Sequence, residues 1–102
     1  MSKDISVNWS RAGVQQTNDI IPMQVDHMSM QESAYYGGVA PYFRFNGYIN
    51  TTQYAILYRD LLIDTTNIDP TTNQLTQYRV IAPPEFFVDG HVELILDRVV
   101  GS

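Results

Sequence analysis

The stretch QYRVIAPPEFFVDGHVELILDRV, residues 77–99, contains two strand-like patterns on either side of a turn. In each pattern apolar residues alternate with polar neighbours, which is typical of a β-strand with one buried face. The inward rows are Tyr78, Val80 and Ala82 before the turn and Val92, Leu94 and Leu96 after it. Pro83 and Pro84 end the first strand because neither can donate a hydrogen bond to a neighbouring strand. The stretch therefore predicts two antiparallel strands that contribute to one core.

The turn between these strands carries two adjacent phenylalanines, Phe86 and Phe87. Consecutive residues of an extended segment point to opposite sides, so at least one of the two rings is hard to bury within the hairpin. Ile81 and Ile95 fall on the outward face of the two strands, which indicates that a loop or another subunit covers this face. We therefore predict that Ile81, Phe86, Phe87 and Ile95 form a subunit or partner interface. The alternative is that one phenylalanine folds back over the end of the domain.

Turn-forming residues dominate the segment before these strands, which reads DTTNIDPTTNQ over residues 64–74. It follows the apolar residues 61–63, which are typical of a strand. The composition predicts a long polar loop over residues 65–74. Loops of this length within a compact domain are usually functional or disordered.

The N-terminal half contains weaker signals. Ile21, Met23 and Val25 alternate with polar residues and predict a strand. We expect one helical turn at Gln31–Tyr36, a reverse turn at Asn46-Gly47 and a second short helical turn within Thr51–Tyr58. Short strands separated by turn signals favour a mainly β fold, namely a small antiparallel β-barrel of about six strands with one short helix. Two packed sheets are the alternative, and residues 1–102 form a single domain in either case.

Composition excludes several classes of function. The 102 residues carry a formal net charge of -5 and no cysteine. The acidic balance disfavours binding to phosphate backbones and anionic membranes, because both depend on cationic side chains. Without cysteine there is neither a disulfide framework nor a thiolate metal site, and small domains of this kind often associate with further copies. The opening MSKDISVNWS has no apolar run of signal-peptide length, so we expect a soluble protein made in the cytosol, with no membrane partner.

No catalytic constellation is apparent. His27 and His91 are the histidines, and neither stands at a recognisable metal-ligand spacing from a carboxylate. Asp60, Asp64 and Asp69 lack the compact pattern of a calcium-binding loop. We therefore predict that the chain is not an enzyme and has no cofactor and no metal site.

The order of the C-terminal elements resembles the head-tail joining, or stopper, proteins of long-tailed bacteriophages. In that family a strand ending in Val/Ile-Asp is followed by a Tyr-Arg-Val strand, a Pro-Glu turn and a closing strand with a His-x-Glu-Leu pattern. The corresponding residues here are Leu61-Leu62-Ile63-Asp64, Tyr78-Arg79-Val80-Ile81, Pro84-Glu85 and Gly90-His91-Val92-Glu93-Leu94-Ile95-Leu96. The resemblance covers residues 42–99, and the long segment 65–74 departs from the family pattern.

This resemblance implies a non-enzymatic subunit that assembles as a ring of about six copies, or about twelve. The ring lies at the head-tail interface of the virion, between the portal-adaptor protein and the tail or tail-terminator protein, and is assembled in the host cytoplasm. It closes the DNA channel after packaging and provides the tail docking surface. Double-stranded DNA then passes through without sequence-specific binding.

On this resemblance the polar loop is the candidate plug that faces the channel. Its residues are Asp64, Thr65, Thr66, Asn67, Asp69, Thr71, Thr72 and Asn73. The alternative is a loop that points outward, with the N-terminal segment sealing the ring.

A different class of function is a monomeric ligand-binding β-barrel, such as a carbohydrate-binding module. In that case Trp9 and the tyrosines would form an aromatic face on which sugars stack. This class predicts a monomer with an aromatic cleft, whereas the connector class predicts a ring.

Overall fold

The computed structural model describes residues 3–27, 44–70 and 73–99, and the regular elements in these ranges are all β-strands. They are β1 (Lys3–Arg11), β2 (Val14–Gln15), β3 (Ile21–His27), β4 (Arg44–Ile49), β5 (Leu61–Asp69), β6 (Gln74–Val80), β7 (Glu85–Phe86) and β8 (Val92–Arg98).

Six of these strands close into an antiparallel barrel. The order around the barrel is β1-β3-β4-β8-β6-β5, and β5 pairs back with β1. The short strands β2 and β7 are additions that pair with β1 and β8, respectively. Closure leaves the long strands without free edges, which is one way a small β domain avoids edge-to-edge association. The predicted antiparallel barrel of about six strands is therefore confirmed.

The predicted helical turns have different outcomes. Gln31–Tyr36 lies outside the described residues, so that prediction stays a prediction. Thr51–Tyr58 contains bends and a turn but no helix, so the second helical prediction was wrong. Within the described ranges, no helix has the length and hydropathy needed to cross a membrane.

Side chains fill the interior of the barrel. In β3, β6 and β8 the buried residues alternate with exposed or half-buried ones, as the period of a strand requires. The buried apolar residues are Ile5, Val7, Trp9, Ile21, Met23, Val25, Phe45, Ile49, Ile56, Leu62, Tyr78, Val80, Val92, Leu94 and Leu96. The predicted rows of β3, β6 and β8 are among them, although Ala82 lies beyond β6 and is only half-buried.

The chain crosses one end of the barrel with residues 50–60, which we call the cap segment. This segment connects β4 to β5, which lie on opposite sides of the barrel. Ile56 reaches from it into the core and is 1% exposed. The Arg59 amide donates to the Val80 carbonyl at 2.8 Å, and the Val80 amide donates to the Asp60 carbonyl at 2.9 Å. The cap segment is thereby fixed to the end of β6.

The turn predicted at Asn46-Gly47 was wrong. Both residues lie inside β4, which pairs with β3 on one side and β8 on the other. A Cβ on Gly47 would lie 2.8 Å from Leu96 Cδ1 and 3.4 Å from Leu94 Cβ. Close packing inside the barrel favours glycine here, because an added side chain would force Leu96 to shift within the core.

The long loop predicted over residues 65–74 was also wrong, because β5 extends to Asp69 and β6 begins at Gln74. The pairing of the two strands shifts between Ile63 and Ile68, which marks a bulge. Within the bulge, the buried Asp64 carboxylate accepts from the Thr66 amide at 3.0 Å and from Asn67 Nδ2 at 2.6 Å. The polar residues that predicted a loop therefore satisfy one another inside an irregular strand.

Candidate functional site

Residues 86–91 comprise the last residue of β7 and the segment that leads to β8, and we call them the tip. The tip lies at the same end of the barrel as the cap segment, because β8 begins opposite the end of β4. Phe86 is 48% exposed, Phe87 is 36% exposed and Val88 is fully exposed. Two predicted interface residues, Phe86 and Phe87, are thus on the surface rather than folded back over the barrel. A run of exposed apolar side chains is typical of a contact with another macromolecule.

The backbone of the tip is closed by hydrogen bonds. The Phe87 amide donates to the His91 carbonyl at 2.9 Å, and the Gly90 amide donates to the Phe87 carbonyl at 3.1 Å. Gly90 has φ of 98°, a conformation that residues with a side chain rarely adopt. The tip is therefore a defined turn that presents Phe86 and Val88 in a fixed geometry.

His91 lies between two aromatic rings at the base of the tip. Its ring stacks on Tyr48 of β4 at a centroid distance of 4.7 Å and on Phe87 at 4.4 Å. Two rings at these distances cannot share one face of the imidazole, so Tyr48 and Phe87 occupy opposite faces. The His91 side chain is 12% exposed as a result. The imidazole therefore joins the tip to the outer face of the barrel.

Both nitrogens of His91 face carboxylates. Nδ1 contacts Asp89 Oδ1, and Nε2 lies 2.9 Å from Glu93 Oε2. A neutral imidazole has one N–H group, so only the protonated ring donates to both carboxylates. The hydrogen bonds to Glu93 and Asp89 outweigh partial desolvation and raise the pKa of His91 above its ordinary value. We call His91, Tyr48, Phe87, Asp89 and Glu93 the histidine cradle.

The other two predicted interface residues lie beside a groove on the outer surface. The Ile81 amide donates to the Ile95 carbonyl at 2.9 Å, and both side chains are half-buried. The groove has a volume of about 400 Å³ and runs between residues 82–85 and the outer face of β3, β4 and β8. Its lining includes Gln24, Asp26, Asn46, Tyr48, Glu85, Glu93 and Ile95. The chain itself therefore covers part of the outward face that carries Ile81 and Ile95, which we predicted to be covered by a loop or another subunit.

The cap segment is anchored by a buried carboxylate. Asp60 Oδ2 accepts from Trp9 Nε1 at 2.8 Å and from the Leu57 amide at 2.8 Å, and Arg11 donates to both carboxylate oxygens. Burial alone would raise the pKa of Asp60, but the hydrogen bonds from Arg11, Leu57 and Trp9 hold it below its ordinary value. Trp9 is 7% exposed and contacts Tyr54 edge-on, so its predicted role on a sugar-stacking face was wrong.

The candidate channel residues lie away from the tip. Asp64, Thr65, Thr66, Asn67 and Asp69 belong to β5, Asn73 belongs to the turn before β6, and Thr71 and Thr72 lie outside the described residues. Since β5 runs away from the cap segment, its far end and Asn73 lie at the opposite end of the barrel from the tip. Their role in a channel stays a prediction, and the structure separates them from the predicted interface residues.

Tyr48, Asp89 and Glu93 are members of the histidine cradle that sequence reasoning did not identify. Asp89, His91 and Glu93 are spaced two residues apart, which places His91 and Glu93 on one face of an extended segment and was a usable signal. No comparable sequence pattern indicated Tyr48, because its contact with His91 depends on the register of β4 against β8.

The two histidines lie in separate environments. His27, at the end of β3, contacts the Phe45 ring at a centroid distance of 4.3 Å, whereas His91 lies in the tip. Among the residues that the structure describes, no three His, Asp or Glu side chains are grouped as a metal site. Searches against protein-family models, curated proteins and solved structures found no match to this chain.

Proposed function

We propose that this chain is a non-enzymatic virion protein of a tailed bacteriophage, a subunit of the head-tail connector ring. The ring closes the DNA channel after packaging and provides the surface on which the tail docks. It contains about six copies, or about twelve, and contacts the portal-adaptor protein on one side and the tail or tail-terminator protein on the other.

The observation that carries this proposal is the exposed apolar tip on a barrel whose interior is already filled. Phe86, Phe87 and Val88 are exposed on a turn fixed by backbone hydrogen bonds. Rigid aromatic side chains lose little conformational entropy on binding, so they are well suited to be anchors of a protein contact. Side chains fill the interior of the described part of the barrel, and the groove beside Ile95 lies on its outer surface.

The charge of the chain supports passage of DNA rather than binding to it. A net charge of -5 on each subunit is multiplied around a ring. A lumen with this charge would repel phosphate groups, since DNA affinity depends on their neutralisation by lysine and arginine. Asn73, directly before β6, is our candidate for a residue that faces the lumen, because it lies at the opposite end of the barrel from the tip.

The proposal predicts that replacing Phe86 and Phe87 with serine weakens joining of tails to filled heads. We expect a loss of roughly 30-fold in the joining constant, which corresponds to about 2 kcal/mol of lost contact. In the assay, the purified chain is added to filled heads that lack both this protein and tails. Tails are then added, and the infectious particles that form are counted. Ile20→Ser is the matched control, because Ile20 is exposed but lies outside the tip. A folded double variant that joins tails as well as the control would contradict the proposal.

A carbohydrate-binding module is the second candidate, and the outer groove is the observation that favours it. The groove combines the Tyr48 ring with amide side chains of Gln24 and Asn46, a combination suited to sugar hydroxyl groups and ring faces. This candidate predicts a monomer that binds an oligosaccharide saturably and loses binding in Tyr48→Ala. A chain that binds no member of a glycan array and associates with phage heads excludes it.

A further inference from the structure

The histidine cradle links the protonation of one side chain to the position of the tip. His91 contacts Phe87 through its ring and Asp89 through Nδ1, and both partners belong to the tip. On the other side it contacts Tyr48 of β4 and Glu93 of β8, which belong to the barrel. The His91 side chain therefore connects the tip to the sheet of the barrel.

This connection requires the proton. In the protonated state each nitrogen donates to a carboxylate, and the positive ring is favoured between the faces of Tyr48 and Phe87 by cation–π attraction. In the neutral state one nitrogen presents a lone pair to the carboxylate of Asp89 or Glu93, so one attractive contact becomes repulsive. The stacking remains possible, but the tip loses one of the contacts that fix it.

We propose that His91 is a protonation-dependent clamp: the imidazolium holds the tip against the barrel, and loss of its proton releases the turn that presents Phe86 and Val88. The clamp is a property of the free chain. It goes beyond the connector function proposed above and stands whether or not that function is correct.

The charged groups around His91 all favour the protonated state. Asp89 comes from the tip and Glu93 from β8, while Glu85 of β7 lies directly opposite Glu93 in the ladder. Tyr48 of β4 contributes an aromatic ring that stacks on the imidazole. No arginine or lysine forms an ion pair with Asp89, Glu85 or Glu93 among the described residues.

The direction of the pH dependence follows from the raised pKa of His91. When the pKa of a group is higher in the ordered state than in the released state, its protonation stabilises the ordered state. This stabilisation is fully present at pH values below the pKa of the released state, which is about 6.5 for histidine. The stabilisation is lost as the pH rises through the pKa of the clamped state. The tip is therefore fixed at mildly acidic pH and released toward alkaline pH.

The test combines two measurements on the free chain by NMR. The His91 ring signals give its pKa, and His27→Asn assigns them, since the chain has two histidines. Hydrogen exchange of the Phe87 and Gly90 amides, corrected for intrinsic rates, reports opening of the tip. We expect the protection of these amides to fall as the pH rises through the His91 pKa. The total decrease should be roughly tenfold for each pKa unit by which His91 in the clamped tip exceeds His91 in the released tip. The Ile81 amide, bonded to Ile95 outside the tip, is the internal control and should not follow this transition.

Two variants separate the clamp from a purely structural role. His91→Phe retains an aromatic ring for stacking but has no titrating group, so the protection of the tip should become independent of pH. Glu93→Gln removes one charge and should move the transition to lower pH. A His91 pKa at or below about 6.5, or tip protection that stays constant through the His91 transition, would overturn the proposal. Persistence of the transition in His91→Phe would overturn it as well.

Discussion

Replacing Asp60 with alanine is expected to lower the free energy of unfolding by about 3 to 5 kcal/mol, because it removes the shared acceptor of one buried donor and two partly buried ones. Asp60 is 1% exposed and accepts from Trp9 Nε1, from the Leu57 amide and from Arg11. Arg11 is partly exposed and regains water after the substitution, whereas the buried indole N–H of Trp9 does not. The shift in the urea midpoint at constant m-value measures the loss.

The Asp60 contribution also has a defined pH dependence. Since hydrogen bonds hold the pKa of Asp60 below its ordinary value, its stabilisation is fully present above the unfolded pKa, about 3.9. It is lost as the pH falls through the lower pKa of the folded state. The stability difference between the wild type and Asp60→Ala should therefore narrow below about pH 4.

Asp4→Ala is the control for this prediction, because Asp4 is an exposed carboxylate on the same strand as Trp9. We expect its effect to stay within about 0.5 kcal/mol. Asp60→Asn keeps one acceptor oxygen and should give an intermediate loss. Equal urea midpoints for Asp60→Ala and Asp4→Ala would show that the buried carboxylate does not anchor the cap segment.

Ile56→Ala is expected to cost about 2 to 4 kcal/mol, because it leaves a cavity at the end of the barrel that the cap segment closes. Ile56 is 1% exposed, and its neighbour Leu57 is 51% exposed in the same segment. Leu57→Ala is therefore a matched control with an expected effect below about 0.5 kcal/mol. Thermal unfolding followed by far-ultraviolet circular dichroism measures both variants. Equal losses of stability in the two variants would mean that Ile56 does not hold the cap segment in place.

The inward rows of the barrel were predictable because alternation is a local property of the sequence. Ile21, Met23 and Val25 in β3, like Val92, Leu94 and Leu96 in β8, show the period of a strand without reference to any other residue. The exposure of at least one of Phe86 and Phe87 was predictable for the same kind of reason, since two successive residues of an extended segment cannot both face one core. Alternation alone did not predict that both rings are exposed.

The errors came from residues whose composition is typical of turns and loops but which lie within strands. Asn46-Gly47 has the composition of a reverse turn, but Gly47 serves close packing against Leu96 of β8. The run from Asp64 to Asn67 has the composition of a loop, but its side chains bond to one another within a bulge of β5. The packing of Gly47 cannot be inferred before the strand order is known. The bonds of Asp64 are local, but their place in a bulge depends on the pairing of β5 with β6.

The candidate site was predicted in part. The exposed phenylalanines were identified, but the histidine cradle was not, because Tyr48 meets His91 only through the pairing of β4 with β8. The burial of Trp9 was missed for a related reason. Its partner Asp60 is far along the chain and meets it only where the cap segment closes the barrel.

The central claim is that neighbouring subunits or a docking partner cover the tip in an assembled particle, and thiol labelling at Val88 tests it most directly. The chain contains no cysteine, so Val88→Cys introduces a single reactive group at a fully exposed position. Labelling after unfolding gives the total thiol in each sample. We predict rapid maleimide labelling of the free chain and labelling at least roughly tenfold slower in tailed particles assembled with the variant, as removal of the tip from solvent requires. Equal labelling rates, or particles that do not incorporate the chain, would contradict the claim.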